Sequence, residues 1–356
     1  MIKYIGSKRV LVDVLGRIAS AVEAVDAVDL FTGTTRVAQE FKRRGIHTTA
    51  ADIATYSEVL AQCYISTDVA RVDGHALQAA LDELNALPGR PGYVTRTFCE
   101  SARYFQPANG ARIDAIRDRL AHGYADSPLF PILLTALLLA ADRVDSTTGL
   151  QMAYLKQWAP RAHNLLELRM PDLLPGPGAA LRGDAHALAR TLPPADLVYL
   201  DPPYNQHRYF TNYHVWETLV RWDAPDHYGV ACKRVDSRDA DTKSVFNSKR
   251  QMPGALRSLI HDLRAQVVVA SYNDEAWVSP EELIGWLREA GHEDVRMFAY
   301  DSRRYVGAQI GIANPAGVRV GSVSHLRNTE YVFVAGPRER VAAAEAVAGA
   351  TATSPA

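Results

Sequence analysis

Residues 197–204 read Leu197-Val198-Tyr199-Leu200-Asp201-Pro202-Pro203-Tyr204, an apolar run with strand character that stops at a carboxylate, two prolines and an aromatic ring. Proline fixes φ and carries no backbone N–H, so a β-ladder cannot continue past Pro202. The chain is expected to turn out of a buried sheet there, with Asp201 and Tyr204 projecting at its carboxyl edge. In open α/β sheets that edge is where ligands bind. The Asp201 carboxylate and the Pro202 carbonyl can each accept one N–H, and Tyr204 offers a flat face. Together they suit a planar ring that carries an exocyclic amine.

Outward from this edge, strand and helix patterns alternate. Val25 to Phe31 reads as a strand and is followed by the turn Thr32-Gly33-Thr34-Thr35. Arg36 to Arg44 then has helical spacing, with Val37, Ala38 and Phe41 on one face and Gly45 as its stop. Ile46 to Ala51 is a second strand, tipped by Asp52. Further strands are expected at Ala180 to Asp184, Val267 to Ser271, Val295 to Tyr300 and Tyr331 to Val334, with a helix over Pro280 to Glu289. Such alternation implies an α/β fold built on a mostly parallel sheet with helices on both faces.

Between Tyr56 and Pro177 the pattern becomes mainly helical (Ala76–Leu87, Ala111–Ala121, Pro131–Val144), broken by Pro/Gly runs at 88–92 and 175–178. A strand-to-strand crossover needs far fewer residues. We therefore expect residues 57–178 to form a helical inserted subdomain, with 1–56 and 179–336 forming the catalytic domain. Residues 337–356, rich in Ala, Glu and Thr, read as a frayed helix or a flexible, disordered tail.

With 356 residues, 47% of them hydrophobic, the chain can bury a large core. The formal net charge of −1 means that a polyanionic partner must be met by a local basic patch. Cys63, Cys99 and Cys232 are scattered and lack metal-ligand spacing, so neither a disulfide framework nor a metal site is expected. No apolar segment is long enough to cross a bilayer, and nothing at the start reads as a signal peptide. These features suit a cytoplasmic protein without a membrane partner.

A strand, a Gly-bearing turn and a helix form a site for a polar ligand, and an acid ending the next strand can accept hydrogen bonds from ribose hydroxyls. Nothing matches GxGxxG or a Walker lysine, so a nucleoside-like ligand without a diphosphate fits, and S-adenosylmethionine is one.

Five motifs occur in a telling order: Lys3-Tyr4-Ile5-Gly6-Ser7-Lys8, Phe31-Thr32-Gly33-Thr34-Thr35, Asp52, Gly183-Asp184 and Asp201-Pro202-Pro203-Tyr204. In this the chain resembles the Dam-like (alpha-group) adenine-specific DNA methyltransferases. Asn328-Thr329-Glu330-Tyr331 is similar to the start of their late strand. Two positions depart from the pattern: Thr35 and Ser7 stand where glycines are common.

The resemblance implies a Rossmann-like S-adenosylmethionine-dependent methyltransferase fold that opens with a short strand. Cofactor binding falls to Tyr4, Gly6, Ser7, Lys8, Asp29, Phe31, Gly33, Thr34, Asp52 and Asp184. Lys8 and the backbone around Tyr4 to Ser7 would hold the methionine end, Asp52 the ribose and Asp184 the adenine amine. Catalysis falls to Asp201, Pro202, Pro203 and Tyr204, acting on adenine flipped out of double-stranded DNA. The implied partners are DNA in the nucleoid and a possible cognate restriction endonuclease.

The segment after the motif is dense in aromatic and hydrogen-bonding side chains, and Asn205, Arg208, Tyr209 and Tyr213 are the substrate-binding candidates. For phosphate contact two basic groups stand out: 233–250, and Arg96, Arg103, Arg112, Arg117 and Arg119 in the insert. Two other enzymes, an RNA adenine methyltransferase and a protein glutamine methyltransferase, fit less well. The second of these would usually carry Asn at position 201. An idle DNA-binding module is disfavoured by the intact motifs.

Overall fold

The computed structural model describes residues 2–4, 8, 10–155, 157–203, 206, 208–303, 327–349 and 351–352. They form two compact units. One comprises 6–53, 177–207 and 244–356, and the other 1–5, 54–176 and 208–243.

The first unit carries an eight-stranded sheet. Its strands are β1 (Asp26–Asp29), β2 (His47–Asp52), β3 (Gly178–Arg182), β4 (Ala195–Leu200), β5 (Ala265–Asn273), β6 (Asp294–Arg303), β7 (Arg327–Gly336) and β8 (Thr351–Ala352). Their spatial order is β8-β6-β7-β5-β4-β1-β2-β3. Strands β3, β2, β1, β4 and β5 run parallel, and the β5–β7, β7–β6 and β6–β8 pairs are antiparallel. The strand order reverses between β1 and β4, and an open sheet offers a ligand crevice at that point.

Both faces of the sheet are covered. On one face Val28, Val198, Leu200, Val268 and Phe333 pack with the helices Ala185–Thr191, Met252–Asp262 and Pro280–Glu289. On the other face Ala27, Leu197, Tyr199, Val267 and Val334 meet Val12–Ala21, Arg36–Arg43 and Arg338–Ala348. Strand β4 supplies alternate residues to the two faces (Val198 and Leu200 against Leu197 and Tyr199), which explains its unbroken apolar run. The result is a mixed α/β fold with a mostly parallel sheet.

Of the two readings of the C-terminal segment, the helix holds along 338–348, but it is packed rather than frayed. That stretch is a helix whose Val341, Ala344 and Ala348 are buried. Small alanine side chains let the helix sit close, so low hydrophobicity concealed a packed face. Of the expected opening strand, residues 2–4 lie outside any strand, and 5–7 fall outside the described residues.

The second unit is built around the helix Phe130–Val144, whose Ile132, Leu133, Leu134, Leu137 and Leu138 are all buried. An apolar surface all round suits a helix at the centre of its unit. Thr55–Ala61, Pro107–Gly123 and His214–Arg221 pack around it. The segment 208–243 belongs to this unit, whereas the sequence pattern had placed it in the catalytic domain. Among the described residues no helix is long and apolar enough to cross a membrane.

Candidate active site

Strand β1 delivers Asp29 to the switch point, and β4 delivers Asp201 one strand away. Asp29 is buried, and its Oδ2 accepts a hydrogen bond from the Thr32 hydroxyl at 3.0 Å. Its Oδ1 is buried and has no hydrogen-bond partner among the described residues. Burial pushes the Asp29 carboxyl up to about 7, opposed by the Thr32 hydroxyl and reinforced by the nearby charges of Asp201 and Asp52.

That shift has a sign. Between an unfolded value near 4 and about 7, the folded chain binds the extra proton, so stability falls as pH rises through this window. Asp29→Asn removes the penalty. Its melting temperature is expected above wild type near pH 8 and close to it near pH 5. Thermal unfolding at both values checks this, and an unchanged gap between the proteins would contradict it.

The turn after β1 is shaped by Asp52, whose Oδ2 accepts the Gly33 N–H at 2.9 Å. Gly33 sits at φ 50° and Thr35 at φ 63°. A β-branched residue in the left-handed region costs about 1–2 kcal/mol. Thr35 is fully buried there, donating to the Thr34 carbonyl at 2.7 Å and accepting from the Gln39 amide at 2.8 Å. The half-buried Phe31 ring meets Phe246 edge-on, with centroids 5.2 Å apart.

Asp201 is the most heavily engaged group. Lys8 Nζ lies 3.1 Å from its Oδ1 and 3.2 Å from Glu330 Oε2, so one buried ammonium joins two carboxylates. Ser271 on β5 hydrogen-bonds Asp201, and its hydroxyl also meets the Tyr199 hydroxyl at 2.6 Å. Burial pushes the Asp201 carboxyl up to about 6, with Lys8 pulling it down and Glu330 pushing it up. Pro202 is buried and Pro203 half-buried beyond it.

The other candidates separate. Asp184 is exposed and caps the helix Ala185–Thr191, its Oδ1 accepting from the backbone N–H groups of His186 and Ala187 at 3.0 and 3.2 Å. Gly6, Ser7, Tyr204 and Asn205 lie outside the described residues. Tyr4, Arg208, Tyr209 and Tyr213 belong to the second unit. There the Tyr4 ring stacks on Tyr213 at 4.5 Å and on Tyr209 at 5.4 Å between centroids. Tyr213, a substrate-contact candidate from the sequence, is fully buried within this stack. Tyr209 is half-buried and Arg208 exposed.

Four of the eight arginines nominated for phosphate contact are engaged by carbonyls or carboxylates of the unit itself. Arg112 donates to the carbonyls of Leu166, Leu87 and Asn85, and the buried Arg117 to those of Leu219 and Val220. Arg119 pairs with Glu83, and the buried Arg234 is bracketed by Asp223 and Asp236. Arg96 is exposed, and the Arg103 guanidinium lies 4.7 Å over the Trp158 ring. Glu330 was not among the site candidates. An acid immediately before the apolar run Tyr331 to Val334 was the available signal for Glu330.

A carboxylate at the switch point beside a Gly turn stands where an open α/β sheet offers its ligand crevice. The chain belongs to the D12 class N6 adenine-specific DNA methyltransferase family, whose profile matches residues 4–284. Its substrate is therefore DNA, and its reaction, methylation of adenine N6, needs a methyl donor. The chain is similar to the Type II methyltransferase M.NlaIII of Neisseria lactamica, 31% identical over 271 residues that cover 73% of this chain and 77% of the relative. It is 28% identical to the Type II methyltransferase M.FokI of Planomicrobium okeanokoites over 325 residues, or 85% of this chain and 49% of the relative. To the modification methylase StsI of Streptococcus sanguinis the figures are 29% over 325 residues, 85% and 48%. The chain thus spans about half the length of the last two.

Proposed function

We propose that this protein transfers the methyl group of S-adenosylmethionine to N6 of an adenine flipped out of a specific double-stranded DNA site. It acts on nucleoid DNA in the cytoplasm, as the modification partner of a cognate restriction endonuclease. The observation that carries this reading is the half-buried Asp201 carboxylate closing β4, held by Lys8 and Ser271 beside the Gly33 turn. The Type II relatives support the site-specific and restriction-linked parts. On this reading the sheet is a Rossmann-like methyltransferase core and residues 57–178 are a target-recognition insert.

The donor's chemistry fits the residues present. Asp29 Oδ1, buried and without a partner among the described residues, suits the ammonium or hydroxyl donors of a nucleoside–amino acid conjugate. Phe31, Gly33, Thr34 and Asp52 surround the same turn. Lys8 does not fit the methionyl carboxylate, because its ammonium already lies between Asp201 and Glu330. Asp184 serves the adenine amine only with the oxygen that does not cap the helix.

When bound, S-adenosylmethionine supplies a methyl group on a positively charged sulfur. The adenine amine is a poor nucleophile because its lone pair is delocalised into the ring. Asp201 and the Pro202 carbonyl accept its two N–H groups and favour a pyramidal nitrogen, so positioning and charge stabilisation lower the barrier. Tyr204 stacks on the base, offsetting unstacking by roughly 1–3 kcal/mol. Pro203 keeps the turn rigid. Asn205, Arg208 and Tyr209 are assigned to contact with the target nucleotide, and Tyr213 supports Tyr209.

Expression in a host without adenine methylation tests the reading. Single-molecule sequencing of the host DNA should show N6-methyladenine at one sequence context. Unmodified DNA, or modification confined to RNA, would refute it.

A further inference from the structure

We propose that Glu330 receives the proton released by methyl transfer, delivered from Asp201 through Lys8. The inference rests on Asp201 holding the target amine, and adds an exit for the proton that this reaction must discard.

The geometry is a three-group chain within one unit. Lys8 Nζ stands 3.1 Å from Asp201 Oδ1 and 3.2 Å from Glu330 Oε2, both within proton-transfer reach. The Lys8 side chain is 5% exposed, so no bulk water separates it from its partners. Asp201 keeps some exposure, but the base occupies that side during reaction, and its proton then lacks a direct way to water. Glu330 lies in the first half of β7, paired with Asn273 on one side and Tyr300 on the other, and retains 16% exposure of its side chain.

The balance closes. Transfer forms one N–C bond and breaks one S–C bond, leaving the amine nitrogen with a surplus proton. That N–H bond breaks toward Asp201. Asp201 then gives the proton to Lys8 Nζ as Lys8 gives one of its own to Glu330 Oε2. The three groups pass from a net charge of −1 to neutral, and return to −1 when Glu330 releases its proton to water.

The other groups bearing on Asp201 oppose a stored proton less well than Glu330 accepts one. Asp29 on β1, with Asp52 on β2 behind it, is a carboxylate whose ionisation is itself suppressed by burial. Tyr199 on β4 is driven well above the usual phenol range by burial, and Ser271 on β5 is neutral. Lys8 is the cation among them, and Glu330 is its second carboxylate.

Glu330→Gln tests this while keeping the side chain's shape. In the protein alone, with no donor or DNA, the carboxyl-carbon NMR titration of Asp201 should move to lower pH by about one unit, since a like charge has gone. In single turnovers read with a pH indicator, proton release should lag methyl transfer, and kcat should fall about tenfold or more. Binding of S-adenosylmethionine and the melting temperature should stay near wild type, and Glu330→Asp should recover part of the rate. An unmoved titration with simultaneous proton release would overturn the relay, as would a loss equal at every pH. Asp201→Asn separates the two readings. If it is inactive while Glu330→Gln behaves as wild type, the relay alone fails. If it is active, the role of Asp201 fails as well.

Discussion

Asp201→Asn is expected to lower the methyl-transfer rate constant by about a thousandfold while leaving the protein folded and able to bind S-adenosylmethionine. The substitution is isosteric, and Lys8 retains Glu330 as a partner. What goes is the negative charge opposite the amine, and with it an acceptor for one N–H. Removing one preorganised charge-stabilising or proton-accepting group commonly costs 10²–10⁴-fold. Single-turnover transfer of a labelled methyl group, with calorimetric binding of the donor, checks both halves. Turnover within tenfold of wild type would remove Asp201 from the reaction.

The second large effect concerns stability. Asp114 is buried, and its carboxylate accepts the backbone N–H groups of Gly92, Val94 and Thr95 at 2.8–2.9 Å and the Thr95 hydroxyl at 2.7 Å. One side chain thus anchors the start of the helical turns over Thr95–Ser101. Gly92 permits the approach, because a Cβ there would stand 2.8 Å from the Asp114 carboxyl carbon. Each buried donor stripped of its acceptor costs about 1–3 kcal/mol. Asp114→Ala should therefore destabilise the second unit by about 3–5 kcal/mol. Asp114→Asn should cost less, since one oxygen survives. Urea unfolding gives the numbers, and a loss below about 1 kcal/mol would show that those N–H groups find other partners.

The parallel core was legible because β4 buries both faces and so reads as a continuous apolar run, ended by Pro202. The packing of the helix Arg338–Ala348 was not, since burial of Ala344 and Ala348 depends on closeness rather than hydrophobic mass. The unit membership of 208–243 was equally hidden. It rests on packing such as the acceptance of the Thr55 N–H by Glu217, between residues 162 apart in the chain. Counting arginines pointed to phosphate contact, yet Arg117 and Arg234 are buried and internally satisfied, and no count of charges reveals their partners. At the site, motif order led to Asp201 and to Lys8. The motif put Lys8 against the cofactor, however, and its second carboxylate lies 322 residues away in sequence.

Thr35 links two positions that would otherwise drift independently. Glycine there would relieve the left-handed backbone but leave the Gln39 amide without its acceptor. Keeping threonine holds about 1–2 kcal/mol in the backbone and ties the turn to the first residues of its helix. Among divergent relatives, substitutions at 35 and 39 should therefore be epistatic, with a glycine at the first tolerated best where the second no longer needs a hydroxyl.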